Sequence, residues 1–470
     1  MLAWVKLRAP KVPGSGEHEG TTMQTATGGS FWVAGAPEPC VRGEFNLRAG
    51  EDPEVELQDG LVDDPRLRRF PGGVGYTGSA EDSIASFLPI TLHGQLDSGE
   101  QITLLNARNY GGPGHAFFGT PRYAADTAVL GEHINIDQPI NAIRFRLGQR
   151  YWLDHLDKDS IAISPDGATL SVQVSQDGNW LVYTPAAPAT LRHLRAVVVS
   201  GVRALMGLVL HSSLAAEEIE LRVQADQPWR RLFSDALNCS ATQTDLDSLL
   251  PREVLTLEVI ARWIPMNDRL DGLAAAVISP IQGALQAETL VLTSLVEGLH
   301  RRLPYQQSKF PALPREARKA ILGAAREAAR AQAQVYGIDP SAVAESVQFL
   351  TDVSFRMRAT QIVNEVCSVI PELKESVPDL PGQITKARND FAHHLIVDRQ
   401  KEPLELSYLR WLIVVTATPW LLRALLLLHA GIAADIIREG FLDSNRFEHA
   451  RANIAQFARE LGWELPSPPI

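Results

Sequence analysis

Apolar and polar positions alternate with a period of two through the first half of the chain and shift to a period near 3.6 in the second. Period-two runs occur in FWVAG near residue 31, VRGEFNLR from 41 and PEVELQDGLV from 53. The stretch LPITLHGQLDSGEQITLLNA continues the pattern, with Asp97-Ser98-Gly99 as the turn of a predicted hairpin. INAIRFRLG, SIAISPDGATLSVQVSQDGNWLVYTPA, VVVSG and EIELRVQA predict further strands. Residues 13–30 are small and polar and predict a loop. Residues 31 to about 228 therefore predict a mainly antiparallel β region, a sandwich or jelly-roll-like arrangement of short strands.

From about Pro228 the pattern turns helical. EVLTLEVIARW and the segment from Leu285 to Leu303 are amphipathic, and Pro304 stops the latter. Further helices are predicted over 314–336, 341–369, 383–397, 405–429 and 443–461, which together make a bundle. The domain expectation is a β-rich region over 1–235, a helical connector over 236–283 and a helical bundle over 284–470. The fold class is thus α+β multidomain, with antiparallel β first and all-α second.

Composition narrows the function. The chain has 470 residues, 45% of them apolar, enough for more than one core. Three cysteines, Cys40, Cys239 and Cys367, are widely spaced and support neither a disulfide framework nor a zinc site, so a cytoplasmic location is expected. The first twenty residues hold no apolar run suited to a signal peptide, and no export is expected. Trp411 to Leu428 is the most membrane-like stretch, but Pro419 and Arg423 interrupt it and Arg410 bounds it; a buried bundle helix fits better than a membrane span. The net charge of −11 excludes a broadly basic nucleic-acid binder, so any RNA contact must be local. Arg315, Arg318, Lys319, Arg326 and Arg330 form one such stripe, interleaved with Glu316 and Glu327. The plainer expectation for most of them is a solvated helix face with intrahelical ion pairs.

The chemistry concentrates in Arg388-Asn389-Asp390-Phe391-Ala392-His393, which joins a permanent cation, an amide and an imidazole. On a helix, Ile384, Phe391 and Leu395 form an apolar stripe, while His393 falls opposite it with Asn389 one turn earlier. Arg388 lies between the two faces, and His394 falls near the buried edge. An Arg, a polar residue and then a His at this spacing resembles the signature of the HEPN family of helical ribonucleases, matched by Arg388, Asn389 and His393. More widely, the chain resembles the Apea-like HEPN proteins of bacterial anti-phage defence. LHGQLDSGEQITLLNA, LGEHINIDQPINAIRFRL and the following Tyr151-Trp152-Leu153 carry that likeness in the β region.

The resemblance implies a metal-independent endoribonuclease with no cofactor, of the abortive-infection or toxin type, answering a phage-derived trigger. In such a site the 2′-hydroxyl attacks the adjacent phosphate, the bond to the 5′-oxygen breaks, and a 2′,3′-cyclic phosphate remains. His393 is the residue whose ordinary pKa of about 6.5 suits general acid or base work. Arg388 would hold a phosphate oxygen and stabilise transition-state charge. Asn389 would orient the imidazole or donate to the phosphate. The resemblance further implies a homodimer in which two such motifs form one composite site. The alternative is a non-catalytic oligomeric adaptor that presents a ligand-binding β domain.

Other constellations are weaker. Glu297, beside His300 and Arg301, could pair with Arg388 to orient it, though a surface ion pair is the commoner fate of such a residue. His393 and His394 are adjacent and diverge on a helix, which disfavours a metal site. His93, His115 and His133 could cluster, but sequence does not bring them together. Gly111-Gly112-Pro113-Gly114 lacks the Gly-Lys-Ser/Thr of a phosphate loop and suggests a turn. No carboxylate pair stands out for glycoside hydrolysis among the 55 acidic residues.

Overall fold

The computed structural model describes residues 25–48, 51–61, 67–70, 73–76, 88–110, 121–148, 154–158, 160–175, 178–210, 214–234, 248–279, 281, 283–347, 350–391 and 403–463. The chain divides into two compact units, residues 1–135 with 232–239, and residues 136–231 with 240–470.

The first unit is a closed antiparallel sheet. The strands of this unit are β1 (Thr25–Val33), β2 (Ala36–Leu47), β3 (Glu54–Leu57), β4 (Leu67–Phe70), β5 (Gly73–Tyr76), β6 (Ile90–Leu96), β7 (Gln101–Asn109), β8 (Arg122–Ala124) and β9 (Thr127–Leu130), of which β4 and β5 pair with each other in a separate hairpin. Pairing runs β7-β6-β1-β2-β3-β8, and β8 returns to β7, so the sheet closes as a barrel instead of splitting into the two layers of a sandwich. Closure depends on β7 changing partners along its length, with Ile102–Leu105 pairing to β9 and Arg108–Asn109 to β8. Between those segments Asn106 sits at φ 53°, where the β6–β7 register also slips. A left-handed residue that an Asn tolerates makes a bulge, and the bulge bends the strand.

Phe31, Phe45, Val55, Leu57, Leu92, Ile102, Leu104 and Tyr123 are among the apolar side chains buried in the barrel core. The turn expected at Asp97-Ser98-Gly99 joins β6 to β7, with Gly99 at φ 85°. The loop expected over residues 13–30 is corrected from Thr25 onward, where β1 begins. A Cβ on Gly29 would come within 2.9 Å of the Gln95 carbonyl oxygen, so that glycine permits a close strand approach.

The second unit begins with a five-stranded antiparallel array. Its strands are β11 (Ala142–Leu147), β12 (Ile161–Ile163), β13 (Thr169–Ser175), β14 (Gly178–Thr184) and β16 (Ala216–Arg222), in the order β12-β13-β14-β11-β16. The two-residue strands β10 (Pro139–Ile140) and β15 (Ala189–Thr190) pair separately.

Helix α1 covers Leu191–Leu210, and the strand expected at VVVSG is therefore corrected. The β-branched run Val197-Val198-Val199 suggests a strand locally. Leu191, Leu194, Val198, Val202, Leu205 and Val209 nevertheless recur at helical spacing, and all are buried. Thr190 caps the helix by accepting from the His193 backbone N–H. Residues Leu194–Val199 form a π-helical segment, where the Val197 carbonyl accepts from Asn267 Nδ2 at 3.1 Å. Gly201 leaves room for that amide, because a Cβ there would lie 2.7 Å from it.

Ten helices follow among the described residues: α2 (Leu257–Leu270), α3 (Leu273–Ile278), α4 (Leu285–Arg302), α5 (Arg315–Val335), α6 (Pro340–Ser346), α7 (Phe355–Val369), α8 (Leu380–Asn389), α9 (Leu404–His429), α10 (Ala434–Asp443) and α11 (Asn445–Glu460). The single helix expected over 341–369 is two, because Ser354 starts a new one by accepting from the Met357 backbone N–H. Helix α10 falls in a gap where no helix was expected. The antiparallel β region and the helical C-terminal region otherwise agree with the sequence expectation.

Helices α1 and α9 are long and apolar enough to cross a membrane by length and composition, yet 72% and 61% of their apolar windows are buried inside the protein. The cations that interrupt α9 have internal partners. Arg423 donates to the Gly207 and Leu208 carbonyls at 2.9 and 2.6 Å, and Arg410 lies 3.7 Å from Asp390. Arg423 thus satisfies carbonyls in the last turn of α1, a favourable place for a cation. Its burial lowers its pKa to about 10.

Candidate functional site

Helix α8 places the first two residues of the predicted motif. Asp379 caps it by accepting from the Gly382 N–H, and Pro381 occupies the first turn, so the helix begins three residues before the 383 expected. Ile384 and Phe391 are buried, in keeping with the apolar stripe, while Asn389 is exposed and Arg388 is half-buried. His393, His394 and Leu395 lie outside the described residues, as do His115, residues 111–114 and Tyr151-Trp152-Leu153.

Arg388 is held by residues distant in sequence. Its Nη2 donates to Glu297 Oε2 at 3.1 Å, and its guanidinium carbon lies 4.7 Å from the centre of the Phe355 ring. Glu297 stands on α4, which packs against α7, α8 and α9. Its other oxygen accepts from Arg301 Nε and Nη2 at 3.2 and 2.8 Å. One carboxylate therefore bridges two guanidinium groups. Burial pushes the Glu297 carboxyl up, but the Arg301 hydrogen bond and the charges of Arg388, Arg301 and Arg358 outweigh it and hold its pKa below the usual range.

Behind this ion pair lies a polar network that the sequence did not reveal. His300 is fully buried, stacks on Tyr305 with ring centres 4.5 Å apart, and meets Arg358 Nη1 at 2.9 Å through Nδ1. A guanidinium only donates, so Nδ1 accepts, Nε2 carries the proton, and Nε2 donates to Gln361 Oε1. Burial, with the nearby Arg358 and Arg301 charges, lowers the His300 pKa and favours the neutral ring.

Arg358 also donates to Gln307 Oε1 at 2.6 Å, and the Gln307 amide donates to the His300 and Tyr305 carbonyls, each at 3.0 Å. Tyr305 donates to Glu365, whose other oxygen lies 3.2 Å from His429 Nε2 on α9. At the end of α8, Asp390 accepts from Trp411 Nε1 at 3.1 Å. The network joins α4, α7, α8 and α9 through charged and amide groups. A lone carboxylate at Glu297, beside His300 and Arg301, was the available sequence signal for the Arg388 contact.

The barrel carries a different polar cluster. His93 and His133 stack at 4.5 Å with nearly parallel rings, and Trp32 meets both edge-on. Each Nε2 donates to a backbone carbonyl, His93 to Ile134 at 3.1 Å and His133 to Gly94 at 2.9 Å. The sequence offered these two histidines without placing them, and strand pairing brings them together. Among the described residues no group of three or more His, Cys, Asp or Glu is arranged to hold a metal. Cys367 is buried, which pushes its thiol up to about 11, and Cys40 is exposed. Cys239 lies outside the described residues.

No curated protein and no solved structure matches the chain significantly. Residues 27–162 match the family model of ApeA N-terminal domain 1, a span that takes in the barrel strands from β1 and reaches β12. That match supports an ApeA-like protein and suggests the anti-phage defence family.

Proposed function

We propose that the protein is a metal-independent endoribonuclease of HEPN type that acts in anti-phage defence, with Arg388, Asn389 and His393 as its catalytic set. The observation that carries this reading is the environment of Arg388. A half-buried guanidinium is fixed by Glu297 and by the Phe355 ring, next in sequence to an exposed amide at Asn389 and five positions before His393. Glu297 engages one Nη2 of the fork, which leaves other donors on the guanidinium to meet a phosphate oxygen.

In the reaction the 2′-oxygen bonds to phosphorus as its proton leaves to a base, and the bond from phosphorus to the 5′-oxygen breaks as that oxygen takes a proton. His393 serves one of these proton roles, and His393 of a second copy serves the other across a two-fold axis. Arg388 stabilises the charge that builds on the phosphate. A phage-derived trigger acts through the β region, which holds the nuclease in check.

Induced expression in bacteria tests this reading against the adaptor alternative. The wild type should arrest growth and His393→Ala should not. Equal arrest by both would favour an oligomeric adaptor that presents a ligand-binding β domain.

A further inference from the structure

We propose that helices α5 and α6 form an RNA-binding arm that grips the substrate backbone through Arg315, Lys319, Arg326 and Arg330. The proposal rests on the nuclease reading for the identity of the bound molecule, but its observations are separate. Helix α5 has 21 residues, packs chiefly against α6, and buries only Ala333. A helix so exposed adds little to a core, so its surface chemistry carries the argument.

At about 100° per residue, Arg315, Lys319, Arg326 and Arg330 fall within about 60° of arc and span about 22 Å of helix. Arg318 flanks them on the side facing α6. Intrahelical ion pairs with Glu316 and Glu327 were the plain expectation for these cations. Among the described residues, none of the five basic side chains makes an ion pair or hydrogen bond. In a chain of net charge −11, an unneutralised basic stripe is a local exception. A polyanion that follows the helix axis is its natural complement.

The arm is rooted at the candidate site. Its two ends are tied by the Ser308–Asp352 bridge and by the Lys309 N–H donating to the Thr351 carbonyl at 2.9 Å. The preceding segment contains Gln307, which holds Arg358, and the following helix begins with Phe355 under the Arg388 guanidinium. RNA held on the arm is therefore anchored to the elements that position Arg388.

A basic amphipathic helix can also lie on an anionic membrane. Two features favour RNA. The face of α5 away from α6 is mainly alanine, with Ile321 and Val335 as its larger members, and offers little to an acyl layer. Glu316 and Glu327 also stand between that face and the basic stripe, where an anionic membrane would repel them.

The test uses full-length His393→Ala protein, which leaves RNA intact, and a fluorescein-labelled single-stranded RNA of mixed sequence read by anisotropy. Lys319→Gln with Arg330→Gln should lower affinity about tenfold and reduce the slope of log affinity against log salt by about 1.4, near 0.7 for each lost phosphate contact. Lys319→Glu with Arg330→Glu should weaken it further, with melting temperature checked for both variants. The same pairs in the otherwise wild-type chain should raise KM for RNA more than they lower kcat.

Unchanged RNA affinity beside intact cleavage by the wild type would overturn the arm and leave the nuclease reading standing. Arm-dependent binding without any cleavage, in extract of phage-infected cells as well as in buffer, would support the arm and overturn the nuclease reading. Loss of binding to phosphatidylserine vesicles with RNA binding unaffected would overturn the proposal in favour of a membrane surface.

Discussion

The barrel and the helical region each stack a histidine against an aromatic partner, and they satisfy its nitrogens in opposite ways. His93 and His133 give their Nε2 protons to backbone carbonyls and pack with Trp32. His300, on the same helix as Glu297, meets Arg358 and Gln361 instead, in a network that extends through Tyr305 to Glu365. The first arrangement ties β6 to the segment around residue 134. The second stores charge beneath a partly accessible guanidinium, at the cost of burying Arg358 and His300. A buried polar network whose members are hydrogen-bonded to one another rigidifies the groups it joins. The proposed nuclease draws on the fixed guanidinium of Arg388, whereas the barrel histidines spend their Nε2 protons on backbone carbonyls.

Mutations in the two regions should have different consequences. The largest effect is expected from Arg388→Ala, which should lower the RNA cleavage rate by about 10²–10³, as for loss of a principal charge-stabilising donor. Single-turnover kinetics measure it, and a loss below tenfold would remove Arg388 from the reaction. Arg358→Met should destabilise the protein by about 2–4 kcal/mol, because His300 Nδ1 and Gln307 Oε1 lose their buried donor. Urea unfolding followed by circular dichroism checks that figure.

Glu297→Gln keeps the shape of the Arg388 anchor but removes its charge. It should cost about tenfold in kcat, with a small change in stability as for a partly exposed pair. His93→Phe in the barrel should cost about 1 kcal/mol and leave cleavage unchanged, since one backbone-directed hydrogen bond is lost.

The smallest effect is a pH slope. Burial lowers the folded pKa of both His300 and His93, so between that value and about 6.5 the unfolded chain binds more protons. Stability should fall as pH drops from 7 toward 5. His300→Gln should remove part of that slope, as measured by thermal melts across the range.

Local signals made much of the fold readable. The hairpin at Asp97-Ser98-Gly99 depends on residues within one turn of each other, and the helix expected from 383 begins at Leu380. Barrel closure was hidden because it depends on one left-handed residue, Asn106, and on a partner exchange along β7. Helix α1 was mistaken for a strand because it is buried on most sides, which blurs the helical period around Val197–Val199.

The candidate site was partly legible for the same reason. Arg388 and Asn389 are neighbours in a recognisable motif, and the charge of Glu297 suggested its pairing. The contacts of His300 with Arg358 and of Tyr305 with Glu365 join residues about sixty positions apart. No periodicity encodes such polar pairs. They follow only from the packing of α4 against α7.

The most direct measurement is a gel of total bacterial RNA incubated in EDTA with wild-type protein, His393→Ala and Arg388→Ala, with the product ends determined. Discrete fragments that end in 2′,3′-cyclic phosphate, made by the wild type and lost in both variants, are the predicted result. Fragments that survive His393→Ala, or cleavage that requires added divalent ions and leaves a 3′-hydroxyl, would contradict it.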